Sequence, residues 1–237
     1  MKYDIKNYIN KNDYNVLIHS GDLTSIGSEH EVIDFIHWLQ NLSEFDMKIF
    51  IAGNHDCSFE DINLPHHDGD FDWFKHLINE ENLSQSDCVY LEDSVVLLET
   101  PELSRPIKFY GSPWHPPFNN WAFNLPRNGE ELELKWKNIP DDVDVLITHA
   151  PPYGIGDYTS RNERVGCELL TERLTILKPL VHAYGHIHEG YGVAIRDKTI
   201  FVNSSICNKR YEPINEPQVI DIKEYYGEII ATHIDAE

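Results

Sequence analysis

Four short segments carry residues whose types and spacing could do chemistry together: Gly21-Asp22, Gly53-Asn54-His55-Asp56, Thr148-His149 and Gly185-His186-Ile187-His188. Each offers a carboxylate, an amide oxygen or an imidazole just past an apolar run. Such donors suit a divalent cation such as manganese, iron or zinc, whereas a soft thiolate site would draw on cysteine. Cys57, Cys88, Cys167 and Cys207 show no Cys-x-x-Cys spacing and read as reduced thiols. Taken singly, each histidine would be satisfied by one hydrogen bond at a strand end. In company with Asp22 and Asn54, His149, His186 and His188 read as metal ligands. His19, inside an apolar strand, reads as a buried and hydrogen-bonded core residue, His182 as structural, and His66-His67 as part of a solvated loop.

The elements that must position these groups are legible as apolar runs of β type. Val16 to His19 leads into Ser20-Gly21-Asp22, and Lys48 to Ala52 leads into Gly53. Ile107 to Tyr110 runs into Gly111-Ser112-Pro113-Trp114, Val143 to Thr148 delivers His149, and Leu180 to Tyr184 delivers Gly185. Between the first two, Ser28 and Glu31 form a capping box. Val32, Phe35, Ile36, Leu39 and Leu42 then share one helical face. A second helix is expected over Phe71 to Leu83, and a third from about Cys167 to Leu177, ending before Pro179. The C-terminal third reads as two hairpins, Val193–Arg196 with Thr199–Asn203 and Gln218–Lys223 with Glu228–Ile234. Strand–helix alternation followed by hairpins predicts a mixed α/β sheet system with helices outside.

Composition narrows the function classes. In 237 residues, 19 Lys and Arg stand against 40 Asp and Glu, a formal charge of −21. A surface this acidic repels phosphate backbones and anionic membranes, so no nucleic-acid polymer and no membrane is expected as a partner. No apolar run approaches the roughly 20 residues that span a bilayer. The opening residues lack a signal core, and a cytoplasmic location is expected.

These blocks, in this order, resemble the calcineurin-like metallophosphoesterase superfamily, and within it the small phosphodiesterases of the MPPED (metallophosphoesterase-domain, 239FB-like) group. The likeness runs from Val16 to about Ile222. It includes Gly111-Ser112-Pro113-Trp114, Phe123-Asn124-Leu125-Pro126-Arg127 and Gly185-His186-Ile187-His188-Glu189-Gly190-Tyr191-Gly192. It implies one domain over residues 1–237 with a four-layer αββα sandwich, two mixed sheets flanked by helices, and two metal ions at one end of the sheets. By the same likeness Asp22 would bridge the ions, Asn54, His149 and His186 would complete one, and His188 would belong to the other. His55 would touch the phosphate and help protonate the leaving oxygen, with Asp56 holding its ring. The implied activity is in-line attack by metal-bound hydroxide on a small phosphate ester, such as a nucleotide or cyclic nucleotide.

One departure stands beside the match. The superfamily's opening Asp-x-His block has no counterpart, since Asp4 is followed by Ile5 and Lys6. A start codon assigned too late is the leading explanation; a truncated, metal-poor chain or a different group in the gap are the others. The expectation is therefore a missing first strand and a site better able to hold one ion, manganese foremost with iron or zinc as alternatives, than the two of a complete centre. The competing function is a catalytically weakened nucleotide-binding or interaction protein. Aromatic residues Trp114, His115, Phe118, Trp121 and Phe123 form either a base-stacking rim or a self-packed loop. Arg161 and Arg164 are read as solvated rather than as phosphate ligands.

Overall fold

Side chains along the apolar runs alternate between two buried faces with the two-residue period of a strand. In β2 (Met47–Ile51), Ile49 and Ile51 face one way and Phe50 the other; in β6 (Val145–Thr148), Val145 and Ile147 oppose Leu146. Each of these strands is therefore covered on both faces. The structure, a computed structural model, describes residues 4–60, 77–78, 83 and 87–234.

Strands β1 (Val16–Ser20), β2 and β3 (Cys88–Tyr90) form a parallel three-stranded sheet. A six-stranded sheet follows the order β4-β5-β6-β7-β9-β8, with β4 (Ser94–Leu98), β5 (Ile107–Ser112), β7 (Val181–Tyr184), β8 (Gly192–Arg196) and β9 (Thr199–Asn203). Its centre, β5-β6-β7-β9, is parallel and its two outer pairs are antiparallel. Strands β10 (Val219–Tyr225) and β11 (Glu228–Ile234) form a separate antiparallel hairpin. Ile220, Ile222 and Ile229 join the core between the sheets, so this hairpin lies in the same layer as β1-β2-β3.

Helix α1 (Glu29–Gln40) covers the outer face of the three-stranded sheet through Val32, Phe35, Ile36 and Leu39. Its start matches the sequence: the Ser28 N–H and hydroxyl both donate to Glu31 Oε2, at 3.1 and 2.8 Å. Helices α2 (Glu130–Lys137) and α3 (Glu168–Leu177) cover the outer face of the six-stranded sheet, with Leu132, Trp136, Leu170 and Leu174 against Tyr110, Leu146 and Tyr184. The four layers are those expected. Helix α2 was not anticipated, although Gly129, three acids in the first turn and lysines in the last turn announce it. The helix expected over Phe71 to Leu83 lies outside the described residues except for Leu77, Ile78 and Leu83, which pack against the α1 core. His66 and His67 also lie outside them.

The expected gap in the first sheet is visible as an open edge. Strand β1 pairs with β2 on one side and with no described strand on the other, and β10 likewise has only β11. Two histidines read as core differ in their partners. His182 is fully buried, with Nε2 2.8 Å from Thr148 Oγ1. His19 packs edge-on against Phe35, but its Nδ1 finds no hydrogen-bond partner, contrary to expectation, because its ring faces the apolar side of α1.

Burial holds the His182 pKa down at about 3. The unfolded chain takes up this proton below about pH 6.5 while the folded chain refuses it, so stability is lost as pH falls through that window. Urea unfolding at pH 7 and pH 5 should show a loss of about 2 kcal/mol from His182. His19 and His115, each lowered to about 4 mainly by burial, add in the same direction. His182→Gln should flatten part of the slope.

Candidate metal centre

All four motif segments emerge from the C-terminal ends of parallel strands, the place where α/β sheets gather ligands. Asp22 follows β1, Asn54 follows β2, His149 follows β6 and His186 follows β7. Asp22 and His186 have left-handed backbones, with φ of 56° and 64°. That conformation is uncommon for non-glycine residues and is tolerated where surrounding structure enforces it.

The donors close on one point. Asn54 Oδ1 lies 2.9 Å from His149 Nε2 and 2.8 Å from His186 Nδ1, and Asp22 Oδ1 is 3.4 Å from His149 Nε2. Asp22, His149 and His186 each place a ligand atom within 4.8 Å of the other two. His149 Nδ1 faces the Ser20 carbonyl at 3.0 Å. Donation from Nδ1 there orients the ring so that Nε2 is the atom directed at the Asn54 and Asp22 oxygens and is the one that would ligate a metal. Electron-pair donors facing one another in a buried space are unfavourable without a cation between them. The Asn54 amide nitrogen, also buried, has no hydrogen-bond partner, as fits a side chain oriented by its oxygen rather than by its donor. The donor set fits a divalent ion of the manganese, iron or zinc type. Burial, reinforced by the neighbouring histidines, lowers the His186 pKa well below the usual imidazole value, which keeps it unprotonated and able to ligate.

Gly53 permits this packing. A β-carbon there would meet His149 Cε1 at 2.5 Å and collide with Asp22. Asp56, fully buried, acts on the loops instead of on His55. Its carboxylate accepts from the N–H groups of Gly53, Leu23 and Thr24 and from the Thr24 hydroxyl, at 2.7 to 3.1 Å. The expectation that Asp56 holds the His55 ring is corrected: His55 Nδ1 lies 2.7 Å from the Ser25 carbonyl. Asp56 instead ties the Asp22 segment to the Asn54 segment, because its backbone points the carboxylate back under both turns. Burial, then the charge on Asp22, pushes its pKa up to about 7 against those hydrogen bonds.

His188 stands apart from the cluster. Its Nδ1 faces the Asn208 carbonyl at 2.9 Å and its ring packs against Tyr211. Among the described residues the ligands of one ion are gathered, and no second group of three His, Cys, Asp or Glu donors forms. The aromatic segment divides between the two readings. Trp114 and Phe123 pack together, whereas Trp121 lies 4.4 Å from the His55 ring and Phe118 packs edge-on to His186. Sequence reasoning missed Tyr211, which faces both His55 and His188; a tyrosine in a polar loop carries no local signal. Arg164 is exposed, as read from the sequence, and its guanidinium pairs with buried Asp157 at 2.8 Å.

The sandwich and this cluster define the class. Residues 2–190 match the calcineurin-like phosphoesterase family, and the chain belongs to it. It is 43% identical over 217 residues to the human and mouse proteins called metallophosphoesterase domain-containing protein 1, an alignment covering 87% of this chain and 64% of each relative. A UPF0046 protein of Caenorhabditis elegans is 39% identical over 228 residues, covering 87% of this chain and 54% of that protein. The chain thus spans under two-thirds of the length of these relatives. One solved structure superposes with a TM-score of 0.51 at 16% identity, covering 81% of this chain and 79% of that one, a likeness of fold alone. The family carries divalent metal ions, and the Asp22–Asn54–His149–His186 cluster is the candidate position for one.

His149→Ala should weaken manganese binding at least tenfold in isothermal titration, the loss expected when a direct ligand is removed. Gly53→Ala should do the same while leaving every ligand residue in place, because the added methyl displaces Asp22 and His149. Retention of full affinity in both would place the ion elsewhere.

Proposed function

We propose that the chain is a metal-dependent phosphoesterase of phosphodiesterase type, acting on a small phosphate ester such as a nucleotide or cyclic nucleotide. The observation that carries this reading is the convergence of Asp22 Oδ1, Asn54 Oδ1, His149 Nε2 and His186 Nδ1. An ion held there, manganese by preference, supplies Lewis-acid stabilisation of phosphoryl charge. Bound there, it would also supply local positive charge for a phosphate on a surface whose formal charge is −21.

The protein's own groups do the rest. His55 is anchored through Nδ1 on Ser25, which leaves Nε2 free to hold a proton for the departing ester oxygen. Asp56 fixes the loop that carries His55 and is a positioning residue. The Trp121 ring beside His55, with the exposed Phe118 and Tyr211, supports stacking of a flat base or aryl group at the mouth. The four free cysteines fit a reducing compartment such as the cytoplasm, and no helix among the described residues is long and apolar enough to cross a membrane.

A second reading, a catalytically weakened nucleotide-binding protein, is favoured by one observation: among the described residues no second group of three donors forms to hold the other ion. Hydrolysis of bis-p-nitrophenyl phosphate and p-nitrophenyl phosphate in Mn²⁺ separates the two. The first reading expects turnover with preference for the diester, abolished by Asp22→Ala and lowered about 100-fold in kcat by His55→Gln with KM little changed. Nucleotide binding without turnover of either ester establishes the second.

A further inference from the structure

Beyond β9 the chain closes a surface loop, with the Asn215 N–H donating to the Ile206 carbonyl at 3.0 Å and Cys207 bridged to Pro213. Asn208 is its hub. Oδ1 of Asn208 accepts from the N–H groups of Arg210 and Glu212 at 2.8 and 3.2 Å, and Nδ2 donates to Glu212 Oε2 at 2.8 Å. The Asn208 backbone N–H donates to the Glu212 carbonyl at 2.9 Å. Its carbonyl accepts from the Tyr211 N–H at 2.8 Å and is also the atom that His188 Nδ1 faces at 2.9 Å. One residue therefore ties this loop to the segment that carries His186 and His188.

What the loop holds in place is an aromatic ring. Tyr211 is 68% exposed, yet its backbone is left-handed, with φ of 60°. A bulky residue keeps that conformation only where its surroundings enforce it, and such positions collect at ligand clamps. A ring this exposed adds little to the core, so packing does not account for its fixed place. It meets two histidines instead, with its centroid 6.3 Å from His55 and 5.2 Å from His188, at interplanar angles of 76° and 83°. Trp121 lies against the same His55 ring at 4.4 Å. Two loops distant in sequence thus each bring an aromatic side chain to the imidazole placed to protonate a departing ester oxygen.

We propose that Tyr211 is a specificity-determining residue that contacts the leaving group of the ester and selects one bearing a flat ring, and that Asn208 is the positioning residue that holds Tyr211 there. A group that leaves with the oxygen protonated by His55 lies beside the rings that flank His55. Most of the Tyr211 surface is free, which leaves room for a second ring in stacked or edge-on contact. Holding the tyrosine in advance through Asn208 removes the entropy cost of ordering an exposed loop at the moment of binding. The inference rests on the phosphoesterase reading above and adds to it the chemistry of the leaving group and the residue that selects it.

The test uses two ligands that share one anionic group and cannot be hydrolysed, phenylphosphonate and methylphosphonate, titrated calorimetrically into the full chain with Mn²⁺. The unaltered chain is expected to bind the phenyl compound about tenfold more tightly, the scale of one aromatic stacking contact. Tyr211→Ala should reduce that preference to about threefold or less with methylphosphonate affinity and melting unchanged, and Tyr211→Phe should keep it. Asn208→Ala should lower the preference as far as Tyr211→Ala does. The double variant should lose nothing more, because the two side chains act through one contact. Equal binding of both ligands by the unaltered chain, a preference that survives Tyr211→Ala, or an equal loss of both ligands in that variant overturns the proposal and leaves the phosphoesterase reading standing. Failure of the unaltered chain to bind either phosphonate removes both.

Discussion

Bringing several lone pairs to one buried point is costly, and the whole arrangement answers to that constraint. Asn54 Oδ1, His149 Nε2, His186 Nδ1 and Asp22 Oδ1 face one another across distances of 2.8 to 3.4 Å. Groups that would rather be hydrated stay in such a place only where rigid elements hold them and a cation is there to receive them. The rigid elements are the carboxyl ends of four parallel strands from two sheets. The loops beyond β1 and β2 are locked to each other by the Asp56 carboxylate, which takes hydrogen bonds from Leu23 and Thr24 on one and from Gly53 on the other.

The layers follow from the same requirement. Two sheets packed face to face bring β1 and β2 to one side of the site and β6 and β7 to the other. Each sheet needs its outer face covered, which α1 does for the first and α2 with α3 for the second. The sandwich interior, built from Ile49, Ile51, Val145, Ile147 and Val181, keeps the two sets of strand ends from sliding apart. A ligand displaced by about 1 Å would cost much of the metal affinity, so this core serves the chemistry as well as stability.

Against this order, the free edges of β1 and β10 are the exception. Natural sheets protect such edges with charge, bulges or covering elements. Here neither edge has a partner among the described residues.

Much of this was legible in the residues themselves. The apolar runs of β type predict β1, β2, β5, β6 and β7, the Ser28–Glu31 pair predicts the start of α1, and glycine before Asp22, Asn54 and His186 marks where the chain must turn. These are local properties, set by sterics and by burial of the nearest side chains, so a linear string carries them. Tertiary structure alone decided which nitrogen of His149 faces the cluster, that Ser25 and not Asp56 holds His55, that His188 turns to Asn208, and that Tyr211 comes to the mouth. Each of those depends on distances between residues at least 20 positions apart in the chain, and such separations are set only when sheets and loops pack together.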